Sequence, residues 1–362
     1  MSSSLKILAL LMLLILFVII YKLFYQQIDT LGISFIYQGN KSYNLNNIKN
    51  QADGNIFQET TDSLRISPPL HPKSYKDILS QGNCIIFLET TDKLEPTNLV
   101  LCAVESAALV YPNRSVILFM KGLTNLKSED ENNIRSLFPT LLSFNNVYIF
   151  PLLTDEVFKG TPLLTWYLKV NPSMEQYWTH VLADGCRLAL IWKYGGMYFD
   201  TDIVSIQPVP VVNFLAAESS KYSSNGALGF SPHHEFIWKC MEDFVRNYKG
   251  EVWGQQGPLL LTRILEQICS QHRFMALEDI MCGNITFMNP VRFYSVSGNN
   301  WRTFYEVWKP VPIFNNSYGS HFWNYMNHEK AAKVVIPGSN TLAEYLYKQF
   351  CPNNYEALKR KN

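Results

Sequence analysis

Three short apolar runs, Cys84–Leu88, Ser115–Met120 and Asn146–Leu152, are separated by stretches long enough to hold a helix. The first of those stretches contains Leu99–Tyr111, whose apolar residues recur at helical spacing. Strands joined through helices pair side by side in parallel, because a crossover connection cannot make a tight hairpin. The chain therefore predicts an α/β domain around a mainly parallel sheet. Ligands of such sheets sit beyond the carboxyl ends of the strands. Glu89, Thr90 and Lys121 follow the first two runs and are candidate binding residues, with solvated loop positions as the plainer alternative.

A second constraint acts at the amino terminus. Every residue from Ile7 to Tyr21 is apolar or aromatic, and Lys6 and Lys22 bracket the run. As a helix, Leu5 to Tyr25 spans about 30 Å of hydrocarbon, with both lysines snorkelling outward. A cleaved signal peptide needs small residues just behind its core, and here the first are Thr30, Gly32 and Ser34. An uncleaved signal anchor is the expectation. The expected organisation is a tail (1–6), a transmembrane anchor (7–25), an Asn- and Pro-rich stem (26–82) and a globular domain (83–362). Asn40, Asn113, Asn284 and Asn315 head Asn-x-Ser/Thr tripeptides, which favours a lumenal domain. The seven cysteines form no C-x-x-C pair, so disulfides are expected rather than a zinc site. With 31 basic against 30 acidic residues, the chain lacks the charge of a dedicated nucleic-acid binder.

Asp184 to Asp202 is the segment that points to chemistry. Asp184 and Arg187 stand three apart on a predicted helix and share one face. Gly195-Gly196 stops that helix, since glycine tolerates the left-handed conformation of a C-terminal stop. Met197-Tyr198-Phe199 then reads as a strand that delivers Asp200 and Asp202. Residues two apart on extended backbone point the same way, so both carboxylates can face one hard cation. A divalent cation held by one or two carboxylates is the usual holder of a diphosphate, and it stabilises the charge of that group as it leaves. Asp-x-Asp alone arises by chance; placed after a helix bearing Asp and Arg, a glycine stop and a strand, it predicts a nucleotide-sugar or related diphosphate substrate.

The same residues resemble the core motif of the family 32 glycosyltransferases, D-x-x-R followed by G-G-x-Y-x-D-x-D. The resemblance runs from Ile85 to about Pro352, through Ser223–Gly226, Trp253–Pro258, Tyr305–Trp308 and His321–Asn324. Cys186 departs from it, standing where those proteins carry Ser. The resemblance implies a GT-A fold with a Rossmann-like, mainly parallel sheet. It also implies a type II Golgi membrane enzyme using Mn2+ and a UDP-sugar. By that resemblance Asp202, Asp200 and His321 hold the metal, and Asp200 also touches ribose and donor sugar. Asp184 and Arg187 hold sugar hydroxyls and diphosphate, and Glu89, Asn225 and Trp323 complete the donor site.

The implied reaction moves N-acetylglucosamine from UDP-GlcNAc in α-1,4 linkage, with retention, to a terminal β-galactose of a mucin-type O-glycan. Galactose transfer from UDP-Gal to a lactosylceramide-type glycolipid is the alternative, and an inactive membrane-anchored lectin a more distant one. The family's β-face position aligns with Gln256, whose amide dipole would stabilise a short-lived cation during front-side substitution; pinning a loop is the plainer role. A Ser-His-Asp hydrolase is not supported, because Gly-x-Ser-x-Gly is absent. Trp253 and Trp323 are expected to stack on a ligand or to join the core. His233 and His234, beside Pro232, are expected in a loop near the acceptor cleft rather than in a metal cluster. Cys186 is expected to be a buried free thiol, with the other six cysteines paired.

Overall fold

A computed structural model describes residues 74–125, 137–269, 274–307, 314–327 and 332–361. The expected tail, anchor and most of the stem lie outside the described residues. Among these residues no helix is long and apolar enough to cross a membrane. Helix α1 (Tyr75–Leu79) starts on Ser74, whose hydroxyl accepts the Lys76 N–H. Its Ile78 and Leu79 are buried, and Tyr75 packs edge-on against Phe119 at 5.6 Å. Residues 74–82, assigned to the stem on composition, are thus packed on the domain; two apolar side chains in a polar stretch were enough to fold it back.

Strands β1 (Ile85–Glu89), β2 (Val116–Met120) and β3 (Val147–Pro151) fall on the three apolar runs and pair in parallel. Helix α2 (Asn98–Val110) crosses between the first two, with Thr97 as its N-cap. The chain then returns to the opposite side of β1. Helix α3 (Trp178–Tyr194) leads into β4 (Gly196–Phe199), which is parallel to β1. Gly195 and Gly196 have φ of +68° and +93°, and a Cβ on Gly196 would lie 2.4 Å from the Cys84 carbonyl oxygen. This pair ends the helix and lets β4 lie close against β1.

The remaining strands are β5 (Ile203–Ser205), β6 (Phe214–Ala217), β7 (Ser223–Phe230), β8 (Ile280–Cys282), β9 (Ile285–Met288) and β10 (Gly319–His321). Helices α4 (Glu235–Arg246) and α5 (Pro258–Glu266) follow β7, and α6 (Leu342–Phe350) and α7 (Pro352–Lys361) end the chain. The large sheet has the order β3-β2-β1-β4-β7-β6-β9-β8. Only β7 and β8 run against the rest, so the mainly parallel expectation holds with an antiparallel insertion at β7. Alternate residues of β1 face opposite layers: Ile86 and Leu88 join the core under α3, Ile85 and Phe87 the core under α2.

Two disulfides are formed, Cys102–Cys351 and Cys269–Cys282. Cys186 is a buried free thiol, as expected, but Cys84 and Cys240 are buried and unpaired too. The expectation of six paired cysteines therefore fails. Both extra thiols serve as small apolar side chains in the core under α3, where burial pushes the Cys84 thiol up to about 11. Alkylation of the native, non-reduced chain should leave all three unmodified, and alkylation after denaturation should label Cys84, Cys186 and Cys240. A disulfide peptide containing any of them in the mass spectrum would contradict this pairing.

Candidate active site

The sheet order reverses between β1 and β4, and a cavity of about 750 Å3 opens beyond their carboxyl ends. Such a switch point is where open α/β sheets bind ligands, because the two adjacent loops diverge there. Glu89 and Thr90 enter from β1, Asp200 from β4, Asn225 from β7 and His321 from β10. Lys121 is not among the lining residues; it pairs with Asp92 at the surface, at 2.8 Å.

Arg187 is the hub of the floor. Its guanidinium donates to Asp200 Oδ1 at 2.9 Å and to the Asn225 carbonyl oxygen, and lies 3.3 Å from Asp184 Oδ1. It also stacks on the Tyr198 ring at 4.4 Å, while Tyr198 OH donates to Asp200 Oδ1 at 2.7 Å. Asp184 in turn accepts from Asn225 Nδ2 at 2.5 Å, and burial pushes its carboxyl up to about 7 against the pull of Arg187. The helix spacing read from sequence did bring Asp184 and Arg187 together. Arg187 lines the cavity as well, but it is 5% exposed, and in this structure its guanidinium is engaged with Asp200, Asn225 and Asp184.

Asp200 Oδ1 is spent on Arg187 and Tyr198, which leaves Oδ2 for the cavity. Asp202 divides its oxygens similarly: Oδ2 accepts from the Asn324 N–H at 2.8 Å, and Oδ1 lies 3.3 Å from His321 Nε2. One atom each from Asp200, Asp202 and His321 falls within a 4.8 Å group that could hold a metal ion. Two carboxylate oxygens and an imidazole nitrogen suit a divalent cation such as Mn2+ or Mg2+. The reason for this convergence differs from the one expected. Asp200 to Ile203 is a turn, closed by Ile203 N–H to Asp200 O at 3.0 Å, not a continued strand. His321 arrives because β10 pairs antiparallel with β5, setting His321 opposite Ile203. Burial alone would raise the Asp200 pKa, yet Arg187 and His321 outweigh it and hold that carboxyl below the ordinary range. His321 Nδ1 accepts the Trp323 N–H at 3.2 Å. Ligation through Nε2 puts the ring proton on Nδ1, so that contact must open when a cation binds.

Other expected residues fare unevenly. Glu89 lines the cavity, with Oε1 accepting the Thr91 N–H at 2.9 Å. Trp323 lines it with its Nε1 donating to Val296 O at 2.7 Å, and packs against Tyr294 and His321. Gln256 is 2% exposed; its Nε2 donates to Phe244 O at 2.8 Å and its Oε1 accepts from Lys249 N at 3.2 Å. Loop pinning is therefore what its amide does in this structure. Gln256→Glu would set a carboxylate oxygen against Phe244 O, and we expect a loss of about 1–3 kcal/mol in thermal or denaturant unfolding. Unchanged stability in that variant would restore the alternative of a carbonyl free to face the ligand.

His233 and His234 lie near neither the cavity nor a metal cluster. His234 caps α4, its Nδ1 accepting the Phe236 N–H, and His233 packs on Trp192 at 4.7 Å, next to the start of β4 and so at the other end of the sheet. Glu218 was missed. It follows the buried strand β6, lines the cavity, and burial pushes its pKa up against the pull of His321. Its signal in the sequence is the one that marks Glu89: a carboxylate directly after an apolar run, here Phe214–Ala217. Tyr177, His180 and Tyr325 also line the cavity, with no motif to announce them.

Residues 97–221 match the glycosyltransferase sugar-binding region containing a DXD motif, and residues 229–358 match the alpha 1,4-glycosyltransferase conserved region. Human alpha-1,4-N-acetylglucosaminyltransferase is 49% identical over 281 residues, covering 78% of this chain and 82% of that protein. Human lactosylceramide 4-alpha-galactosyltransferase is 37% identical over 299 residues, covering 81% of each chain. Among solved structures, galactosyltransferase LgtC with donor and acceptor sugar analogues aligns at TM-score 0.38 and 14% identity, over 75% of this chain and 95% of that one.

Proposed function

We propose, from the premise that this chain belongs to the alpha-1,4-glycosyltransferase family, that it moves N-acetylglucosamine from UDP to the 4-hydroxyl of a terminal β-galactose in α-1,4 linkage. The chemistry rests on one observation: Asp200, Asp202 and His321 converge beside a cavity of nucleotide-sugar size at the switch point of the sheet. The donor choice rests on 49% identity to the N-acetylglucosaminyl relative against 37% to the galactosyl one. The sheet and its switch point suit a GT-A architecture. The apolar run from Ile7 to Tyr21 suits a type II anchor in the Golgi membrane, and Asn113, Asn284 and Asn315 are exposed as a lumenal face would require.

On this reading Asp202, Asp200 and His321 would hold Mn2+, which would supply charge stabilisation to the departing diphosphate. Arg187 and Tyr198 fix the Asp200 carboxylate so that only Oδ2 is left to the ligand. The bond from the sugar C1 to the diphosphate oxygen breaks, a bond to the acceptor O4 forms on the same face, and the hydroxyl proton passes to the leaving diphosphate. An α donor thereby yields an α product. Gln256 contributes by holding the loop that walls the cavity. Detergent-solubilised full chain, offered UDP-GlcNAc and UDP-Gal with a β-galactoside, should transfer faster from UDP-GlcNAc. Faster transfer from UDP-Gal would make it a galactosyltransferase, and none from either with the cation supplied would leave the lectin reading.

A further inference from the structure

The loop between α4 and α5 carries Trp253 to the cavity, where its indole lies face to face with Tyr325 from the turn after β10. Their centroids are 4.1 Å apart and their planes 13° from parallel. His180, in the first turn of α3, stands edge-on to both rings at 4.8 Å, and Tyr177 meets the indole at 5.2 Å. Three stretches distant in sequence thus converge on one aromatic cluster, and all four rings line the cavity. Trp253 is 45% exposed and Tyr325 43%, with their neighbours Val252 at 40% and Met326 at 43%. Leaving four large apolar side chains in water together forfeits the gain that burial would give, and such patches mark binding surfaces.

We propose that the Trp253–Tyr325 pair is the platform on which the acceptor's terminal galactose stacks; the inference rests on the transfer reading above. A β-galactopyranose carries the hydrogens of C3, C4 and C5 on one face, and this apolar patch packs well on an aromatic ring. Its axial 4-hydroxyl points from the opposite face. A galactose held by that patch therefore turns O4 away from the platform and leaves it open to attack. A glucose-configured terminus has its 4-hydroxyl equatorial and loses part of the patch, so the platform also selects configuration. Beside Asp200, Asp202 and His321 the cavity-lining rings are Tyr294, which is buried, and Trp323, whose Nε1 is held by Val296 O, among charged and hydrogen-bonding groups such as Glu89 and Asn225.

The test uses detergent-solubilised full chain with Trp253→Ala, Trp253→Phe and Tyr325→Ala. Trp253 is near half exposed, so its truncation leaves the core intact. Trp253→Ala should raise the KM for a β-galactoside about tenfold or more, the equivalent of one lost stacking contact. UDP binding by calorimetry, and UDP-sugar hydrolysis without acceptor, should stay within about twofold, because uniform acceptor binding alone is removed. Trp253→Phe should recover most of the loss, and Tyr325→Ala should resemble Trp253→Ala. Discrimination between β-galactoside and β-glucoside should narrow in both alanine variants. An unchanged acceptor KM would overturn the platform while leaving the transferase reading intact. A parallel loss of UDP affinity would overturn it as well, assigning the rings to the uracil. Failure of the wild-type chain to transfer to any β-galactoside, with hydrolysis intact, would sink the acceptor reading and the platform with it.

Discussion

Asp202→Asn should lower sugar transfer roughly a thousandfold, since a bound metal ion contributes several kcal/mol of charge stabilisation and each 1.36 kcal/mol is tenfold in rate. The amide oxygen can still accept the Asn324 N–H that Asp202 Oδ2 accepts at 2.8 Å, so the turn from Asp200 to Ile203 should survive. What changes is the oxygen 3.3 Å from His321 Nε2. A neutral amide there is a poor ligand for a hard cation, and its N–H would donate to the imidazole nitrogen that the metal needs. Removing the metal with EDTA should reproduce the loss in the wild-type chain, and added Mn2+ should reverse it there but not in the variant. Mn2+ binding followed by electron paramagnetic resonance gives a readout independent of turnover. Full activity in EDTA, or normal Mn2+ affinity in the variant, would refute the assignment of this trio.

Local signals account for the half of the site that sequence reading placed well. Apolar runs, a helical spacing and two glycines are properties of neighbouring residues, and they located β1 to β4 and the end of α3. They also fixed the register that carries Asp184 and Arg187 on one helix face and Asp200 at a strand end. His321 was different. Nothing local says that Gly319–His321 will pair with Ile203–Ser205, and the resemblance to a family supplied what periodicity did not. The turn at Asp200 was misread for a related reason. Extended backbone was assumed through Asp202, whereas the chain bends so that Phe322 N–H can bond to Asp202 O at 2.9 Å. Trp253 was undecided because its position depends on Tyr325 and His180, contacts that no window of sequence contains. The three free thiols teach the same lesson: an oxidising compartment permits disulfides, but only proximity makes them.

Arg187→Met should cost about 3–5 kcal/mol of stability, the usual consequence of removing one partner from a buried ion pair. Against a total stability of about 5–15 kcal/mol, that is a large fraction, and the unfolding midpoint should fall accordingly. The loss has a definite source. Without the guanidinium, Asp184, which is 8% exposed, retains only Asn225 as a hydrogen-bond partner, and the Asn225 carbonyl oxygen loses its donor. Asp184→Asn in the same chain removes the buried carboxyl that must take up a proton once the guanidinium is gone, while its side-chain oxygen can still accept from Asn225. The double variant should therefore regain a substantial part of the stability. Transfer should not return, because Asp200 Oδ1 keeps Tyr198 but not Arg187, and Oδ2 is no longer held in place. This separation of stability from activity distinguishes a positioning hub from a ligand-holding residue. If Arg187→Met instead keeps wild-type stability and weakens only UDP-sugar binding, the guanidinium reaches the diphosphate, as the family resemblance implied, and the hub is what it does between substrates.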